Sequence, residues 1–248
     1  MRSNLKSSTI RLLILVLITL AGCRTIEPLE TDRPATLTQS ELSSLGRQAW
    51  TDFQSKHPAV QDKKIIARVE ATLMRLVRTN NWPNKTWEIH VYENGPATAF
   101  ILPPRYFAIQ ADLCSRLHSD NALAGVIAHL FGHMAAVHGS ERLGKLLRAN
   151  DETQKSDLAK LIMLAYAGHA IDLEGTWRPF RPHHEHVADT LSVVYMARAG
   201  YDPKALLDLW DKLSKIYDSL PLLLRIHPLS PARRGKLENA LGRAQVWY

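Results

Sequence analysis

The sequence lacks the features that mark several specialised protein classes. Only two of its 248 residues are cysteines, Cys23 and Cys114, so a disulfide scaffold is excluded. It has neither internal repeats nor low-complexity segments. With 46% hydrophobic and 22% charged residues it has the composition of a globular domain, not of a disordered, collagen-like or coiled-coil chain. A domain of this length can bury a full core without cross-links.

The charge pattern of a nucleic-acid-binding protein is also missing. The net charge is +7, but three of the positive charges, Arg2, Lys6 and Arg11, lie in the first eleven residues, and without them it is +4. There is no stripe of basic residues interleaved with aromatic ones. We therefore expect no nucleic-acid partner.

The apolar run Leu12–Leu20 is too short to cross a membrane as a helix, which takes about 20 residues. Basic residues precede it and small residues follow it, which is typical of a secretory signal. The motif Leu20-Ala21-Gly22-Cys23 resembles a bacterial lipobox, in which the cysteine is acylated and becomes the mature N-terminus. A plain signal peptide with an incidental cysteine is the alternative. Arg24 replaces the aspartate that retains such lipoproteins in the inner membrane, which favours the periplasmic face of the outer membrane.

Three segments follow from this interpretation: a lipoprotein signal over 1–22, a lipid-anchored polar tether over 23–37, and one domain over 38–248. The domain is predicted to be α+β and mostly α, with one small sheet. The capping-box pattern Thr38-Gln-Ser-Glu41 opens a helix that extends to about Gln54. The further predictions are a helix over about Val60–Arg78, strands near Trp87–Tyr92, Ala99–Leu102 and Tyr106–Gln110, and a helical remainder from Ser119 with a last helix starting at Ser230-Pro231.

Two histidines on one predicted helix are candidate metal ligands. His129 and His133 are four residues apart, so both imidazoles lie on one face, one turn apart. The alternative is a pair of packed core histidines. His138, five residues after His133, could fall near the site, but it is predicted instead to end this helix together with Gly139.

A second helix, opening near Arg181-Pro182, carries two carboxylates four residues apart. Glu185 is a candidate third ligand, and Asp189 could orient a ligand imidazole. The alternative for Glu185 is a solvated carboxylate favoured by the helix dipole. The neighbouring His183, His184 and His186 are predicted at the surface or the rim.

Five segments, in order, resemble the gluzincin metallopeptidases of peptidase family forty-eight, which include the CAAX prenyl proteases, HtpX and periplasmic lipoproteins of the BepA type. The segments are Ala97–Pro103, His129-Leu-Phe-Gly-His133, Glu185-His-Val-Ala-Asp189, Ala199-Gly-Tyr-Asp-Pro203 and His227-Pro228. The resemblance implies a zincin-like domain with an HxxxH active-site helix. It also implies one zinc ion held by His129, His133 and Glu185, with His227 near the metal.

The sequence departs from the family pattern where catalysis is carried. Leu130 stands at the glutamate position of HExxH, the residue that acts as general base and acid in such enzymes. Leucine transfers no proton, and losing a general base costs about 10²–10⁴-fold in rate. Thr98 replaces an asparagine, and Pro103-Pro104-Arg105 replaces the glycines, of the family's NAFALPGG element.

These observations predict a lipid-anchored, zinc-binding pseudopeptidase that binds envelope proteins or unfolded polypeptides. The first alternative is an active zinc-dependent metalloendopeptidase of envelope protein quality control. In it His227, His183 or His186 would replace the missing base. The second alternative is a metal-free structural lipoprotein. Cys114 is predicted to be a small core side chain.

Overall fold

Helices form most of the structure, a computed structural model that describes residues 37–82, 86–93, 99–149, 158–166, 180–214, 227 and 229–244. The helices are α1 (Gln39–Lys56), α2 (Lys63–Thr79), α3 (Ala111–Arg116), α4 (Asp120–Ala135), α5 (His138–Ala149), α6 (Leu158–Tyr166), α7 (Pro182–Arg198), α8 (Lys204–Ser214) and α9 (Pro231–Ala244). All described residues lie in the unit Pro34–Tyr248. The mostly helical α+β fold is thus confirmed.

Local capping fixes where the first two helices begin. Thr38 and Glu41 form the predicted capping box at the start of α1. Helix α2 begins at Lys63, later than predicted, because the Asp62 carboxylate accepts hydrogen bonds from the first free backbone N–H groups. Val60 instead donates its backbone N–H to the carbonyl of Val91, so it pairs with a strand.

The small sheet is buried between two hydrophobic clusters. Its strands are β1 (Glu88–Tyr92), β2 (Ala99–Leu102) and β3 (Tyr106–Gln110), in the order β1-β3-β2, with β1 parallel and β2 antiparallel to β3. Successive side chains of a strand point to opposite faces. Accordingly Ala99 and Ile101 join the cluster that contains α2, α4, α7 and α8, whereas Phe100 and Leu102 join the cluster with α1 and α6.

Helix α4 lies at the centre of the larger cluster. Its residues from Leu123 to His133 are all buried, which explains why this helix is apolar on every side. It packs against α2, α7 and α8, and α9 packs against α7 and α8. Cys114 is buried as predicted, and burial raises the pKa of its thiol to about 12.

Several predictions concern residues outside the described part of the chain. They include the signal over 1–22, the lipid-bearing Cys23, the tether up to residue 36, and Thr98. Within the described residues, no single helix has both the length and the apolar composition to span a membrane. The bent pair of α4 and α5 meets those criteria jointly, by length and composition only.

Candidate metal centre

The site is built where the C-terminal half of α4 meets the N-terminal half of α7. Helix α4 presents His129 and His133 one turn apart, and α7 presents Glu185 and Asp189 in the same way. Gly132 lets the two helices approach closely, because a Cβ at this position would lie 2.5 Å from the carbonyl oxygen of Ala188. This close contact brings the side chains of the two helices together.

Four buried side chains converge on one point: His129, His133, Glu185 and His227. The Nε2 atom of His129 lies 3.1 Å from Nε2 of His133 and 3.5 Å from Oε2 of Glu185. His133 Nε2 lies 3.4 Å from the other carboxylate oxygen, Oε1. His227 Nδ1 lies 3.2 Å from His129 Nε2 and 2.7 Å from Glu185 Oε1.

These distances fit a tetrahedral zinc ion. Zinc–nitrogen bonds of about 2.0–2.1 Å place neighbouring ligand atoms of a tetrahedron about 3.3–3.4 Å apart. The two distances between ring nitrogens, 3.1 and 3.2 Å, lie close to that edge, and those from His129 and His133 to Glu185, 3.5 and 3.4 Å, end on different oxygens of its carboxylate. The donor set of imidazoles and one carboxylate suits zinc. With His227 Nδ1 as the fourth ligand atom, all four corners would be taken by the protein. Such a site is closed, as structural zinc sites are, whereas catalytic sites keep one corner for water.

Asp189 lies behind the first histidine, on the side away from the four ligand atoms. Its Oδ1 atom is 3.0 Å from Nδ1 of His129. A hydrogen on this Nδ1 leaves the Nε2 lone pair of His129 free to face the other three side chains.

Arg233 of α9 ties the carboxylates together, and sequence analysis missed it. It donates two hydrogen bonds to the oxygens of Asp189, at 2.7 and 2.8 Å, and a third to the carbonyl of His227 at 2.8 Å. The same guanidinium nitrogen lies 2.8 Å from Oε2 of Glu185. The sequence did contain a signal for this arginine. If Glu185 and Asp189 are both buried at the predicted metal site, a buried cation is needed beside them.

The charges of the site are set by burial and by these neighbours. Burial raises the pKa of Glu185, but His227 and Arg233 outweigh it and hold that pKa well below the ordinary value. Burial lowers the pKa of His129, yet Asp189 and Glu185 leave it raised. The pKa of His133 is well below its ordinary value because burial dominates. An ionised Glu185 and a neutral His133 are the forms that bind a metal.

Leu130 follows the first histidine in α4 and belongs to the large hydrophobic cluster, with only 6% of its surface exposed. Its side chain carries neither a proton acceptor nor a proton donor. The ring centroid of Phe180 lies 4.0 Å from that of His133, and the ring centroid of Trp210 lies 5.2 Å from that of His129. The imidazoles therefore lie among apolar side chains.

Two histidine predictions were wrong. His138 does not end α4, which stops at Ala135. Val137 adopts a left-handed conformation with φ of 53°, and His138 begins α5 with a buried side chain. His184 is buried against it instead of lying at the surface. Its neighbour His183 is exposed, as predicted.

The comparison with known protein families agrees with this geometry. The family model of peptidase family M48 matches residues 64–241. The chain belongs to this family. Its resemblance to gluzincin metallopeptidases is thereby confirmed, and M48 metallopeptidases use zinc.

Relatives of this M48 chain include mitochondrial and bacterial proteases. It is 27% identical over 181 residues to the mitochondrial metalloendopeptidase OMA1 of Schizosaccharomyces pombe, which covers 72% of this chain and 53% of the relative. It is 29% identical over 222 residues to OMA1 of Arabidopsis thaliana (85% and 44%). It is 22% identical over 227 residues to the beta-barrel assembly-enhancing protease of Escherichia coli (87% and 47%). The chain spans about half the length of these relatives.

Proposed function

We propose that this M48 chain is a zinc-binding pseudopeptidase that binds proteins of the bacterial envelope without cleaving them. Leu130 carries this proposal. The ligand positions His129, His133 and Glu185 are kept within 3.5 Å of one another, yet the residue that should move the proton is an aliphatic core side chain. A bound zinc ion would supply Lewis acidity in such a site. The chain provides no base at position 130 to use it.

The placement of His227 supports the same conclusion independently. Its Nδ1 atom is one of the four candidate ligand atoms, and a fourth protein ligand would take the place that a catalytic water needs. Its backbone carbonyl is held by Arg233, so the segment is tied to the buried ion pairs of α7. A site with four protein ligands and no base favours metal-dependent folding or binding over hydrolysis.

The decisive experiment introduces the missing carboxylate. Full-length protein without a histidine tag, solubilised in detergent, is tested on unfolded casein as Leu130→Glu, with Leu130→Gln as the control of equal size. We expect the wild type and the glutamine variant to be inert and to contain stoichiometric zinc. Because His227 would take the place of the catalytic water, Leu130→Glu is also combined with His227→Ala. This double variant should cleave casein at least about 10²-fold faster than Leu130→Gln combined with His227→Ala, in a chelator-sensitive manner.

The main alternative, an active metalloendopeptidase, is best supported by His227 as the substitute base. His227 touches Glu185, whereas the exposed His183 and the half-buried His186 lie outside the four-residue group. This alternative predicts zinc-dependent cleavage by the wild type that is lost in His129→Ala. Cleavage of this kind would overturn the pseudopeptidase proposal. Wild-type protein without bound metal would favour a structural lipoprotein.

The proposed clients are unfolded or assembling envelope proteins. One similar protein is named a beta-barrel assembly-enhancing protease, and the similarity extends over 87% of this chain. The proposed location is the periplasmic face of the outer membrane, through lipid on Cys23. Growth with an alkyne-labelled palmitate analogue should label the wild type and leave Cys23→Ser unlabelled. Labelling of the serine variant would contradict this anchor.

A further inference from the structure

A second group of polar side chains lies behind His133, on the side away from the four candidate ligands. The Nδ1 atom of His133 is 3.0 Å from Nδ1 of His138. The ring of His138 stacks on that of His184, with centroids 4.1 Å apart and planes inclined by 17°. The Nε2 atom of His184 lies 3.1 Å from a carboxylate oxygen of Glu141. We call His138, His184 and Glu141 the support group.

The support group lies at the N-terminal ends of α5 and α7, next to the candidate metal centre. His138 and Glu141 are three residues apart on α5, so they share one face. His184 precedes Glu185 on α7 and is buried, with 5% of its surface exposed. His138 is buried to a similar degree, at 4%. The stacking partner and the carboxylate therefore confine the imidazole of His138 within the fold.

The contact between His133 and His138 assigns one donor and one acceptor. Two ring nitrogens 3.0 Å apart form a hydrogen bond only if one carries a hydrogen and the other does not. Nε2 of His133 faces His129 and Glu185, so this atom would bind the metal through its lone pair. The hydrogen of the neutral His133 ring is then on Nδ1, which donates a hydrogen bond to Nδ1 of His138.

We propose that His138 is a positioning residue that fixes the tautomer and the ring plane of His133, and that His184 and Glu141 hold His138 in place. This inference rests on the proposed zinc site. It gives His133 a partner that orients its ring, as Asp189 of α7 does for His129 of α4. Hydrogen bonds of this kind typically contribute about 10–100-fold to metal affinity.

The test compares two side chains of equal size at position 138. The Oδ1 atom of asparagine lies where Nδ1 of histidine was and still accepts a hydrogen bond, whereas leucine cannot. Zinc affinity of the full-length protein is measured by competition with a chromogenic chelator. We expect His138→Leu to bind zinc about 10–100-fold more weakly than the wild type. His138→Asn should retain most of the affinity, and His118→Leu, at an exposed histidine, should leave it unchanged.

A second measurement separates positioning from packing. Cobalt replaces zinc, and the intensity of its visible absorption reports the ligand geometry. The wild type and His138→Asn should give one tetrahedral spectrum, and His138→Leu a weaker, altered one. Should the leucine variant fail to fold, His138→Gln is the loss variant, because it moves the acceptor towards the Nε2 position.

Each outcome has a distinct meaning. Equal affinity of His138→Leu and the wild type would overturn the positioning role and leave the zinc site standing. Equal losses in His138→Leu and His138→Asn would show that only packing matters, which also overturns it. A wild type that binds no zinc would overturn both this inference and the zinc site of the proposed function.

Discussion

Arg233 pairs with two buried carboxylates at once, and at the scale of single residues it holds the site together. It hydrogen-bonds both oxygens of Asp189 and contacts Glu185, and its guanidinium covers the ring of Trp210 at 4.7 Å. Burying a charge is costly unless it is paired and hydrogen-bonded. Removing one partner is therefore far more damaging than never having had the pair.

Replacing Arg233 by methionine should destabilise the metal-free protein by about 3–5 kcal/mol, because Asp189 and Glu185 are left without their cation. Urea unfolding measures the loss. The matched control is Arg234→Met, at the next residue, which forms ion pairs with Asp211 and Glu238 that are partly open to solvent. We expect little change in the control. A small effect at both positions would contradict the role given to Arg233.

Some functional side chains were predictable from the sequence and others were not. Spacing and motif order singled out His129, His133, Glu185 and Asp189, because each pair shares a helix face. Arg233 escaped because Arg234 is chemically identical, and only the packing of α9 on α7 decides which of the two points inwards. The burial of His184 likewise depends on the position of α5, which the sequence alone does not provide.

At the scale of helices and strands, the contact between α4 and α7 sets the spacing of the candidate ligands. Gly132 lies one residue before His133 and faces the backbone of Ala188. Each helix carries two of the functional side chains. A change in the distance between the two axes would therefore move the two histidines of α4 relative to the two carboxylates of α7.

Gly132→Ala should lower the free energy of unfolding by about 1–3 kcal/mol, because an added methyl group forces the two backbones apart. It should also weaken zinc binding, as measured by chelator competition. Gly235→Ala in α9 is the control, since its added Cβ would meet no atom within 4 Å. There we expect a gain of about 0.5–1 kcal/mol from helix propensity. A neutral Gly132→Ala would show that α4 and α7 adjust freely.

Helix and strand positions were predictable where local chemistry decides them. The capping box at Thr38 and the strand-like alternation after Trp87 led to elements that the structure contains. The turn between α4 and α5 was not predictable in this way. There Val137, a β-branched residue, takes a left-handed conformation that such residues rarely adopt. Tertiary packing of α5 prevails over the local preference of Val137.

At the scale of the whole molecule, the buried histidines tie stability to pH. Among the described residues, four buried histidines and one half-buried histidine have lowered pKa values, in each case chiefly because burial disfavours the charged ring. They are His133, His138, His184, His186 and His227. The pKa of His129 is shifted in the opposite direction. Protonation of these five histidines therefore favours unfolding, whereas protonation of His129 favours the folded state.

We expect the metal-free protein to lose stability as the pH falls below about 6.5, the ordinary pKa of histidine. A lowered pKa in the folded state means that the unfolded chain takes up protons first, so acid favours unfolding. Urea unfolding at pH 8 and pH 5.5 measures the difference. His138→Asn, which removes the group whose pKa is lowered to about 4, should reduce the pH dependence. Equal stability at both pH values would contradict this account.

The clamp formed by Arg233 also imposes an order on the making of the protein. The groups it joins come from α7 and from the backbone at His227, whereas the arginine itself belongs to α9. A nascent or clipped chain that stops before α9 contains every candidate ligand but leaves Glu185 and Asp189 without their counter-ion. Such a fragment would hold metal poorly and would remain open to proteases. In the proposed zinc site, metal retention would therefore require synthesis past residue 233.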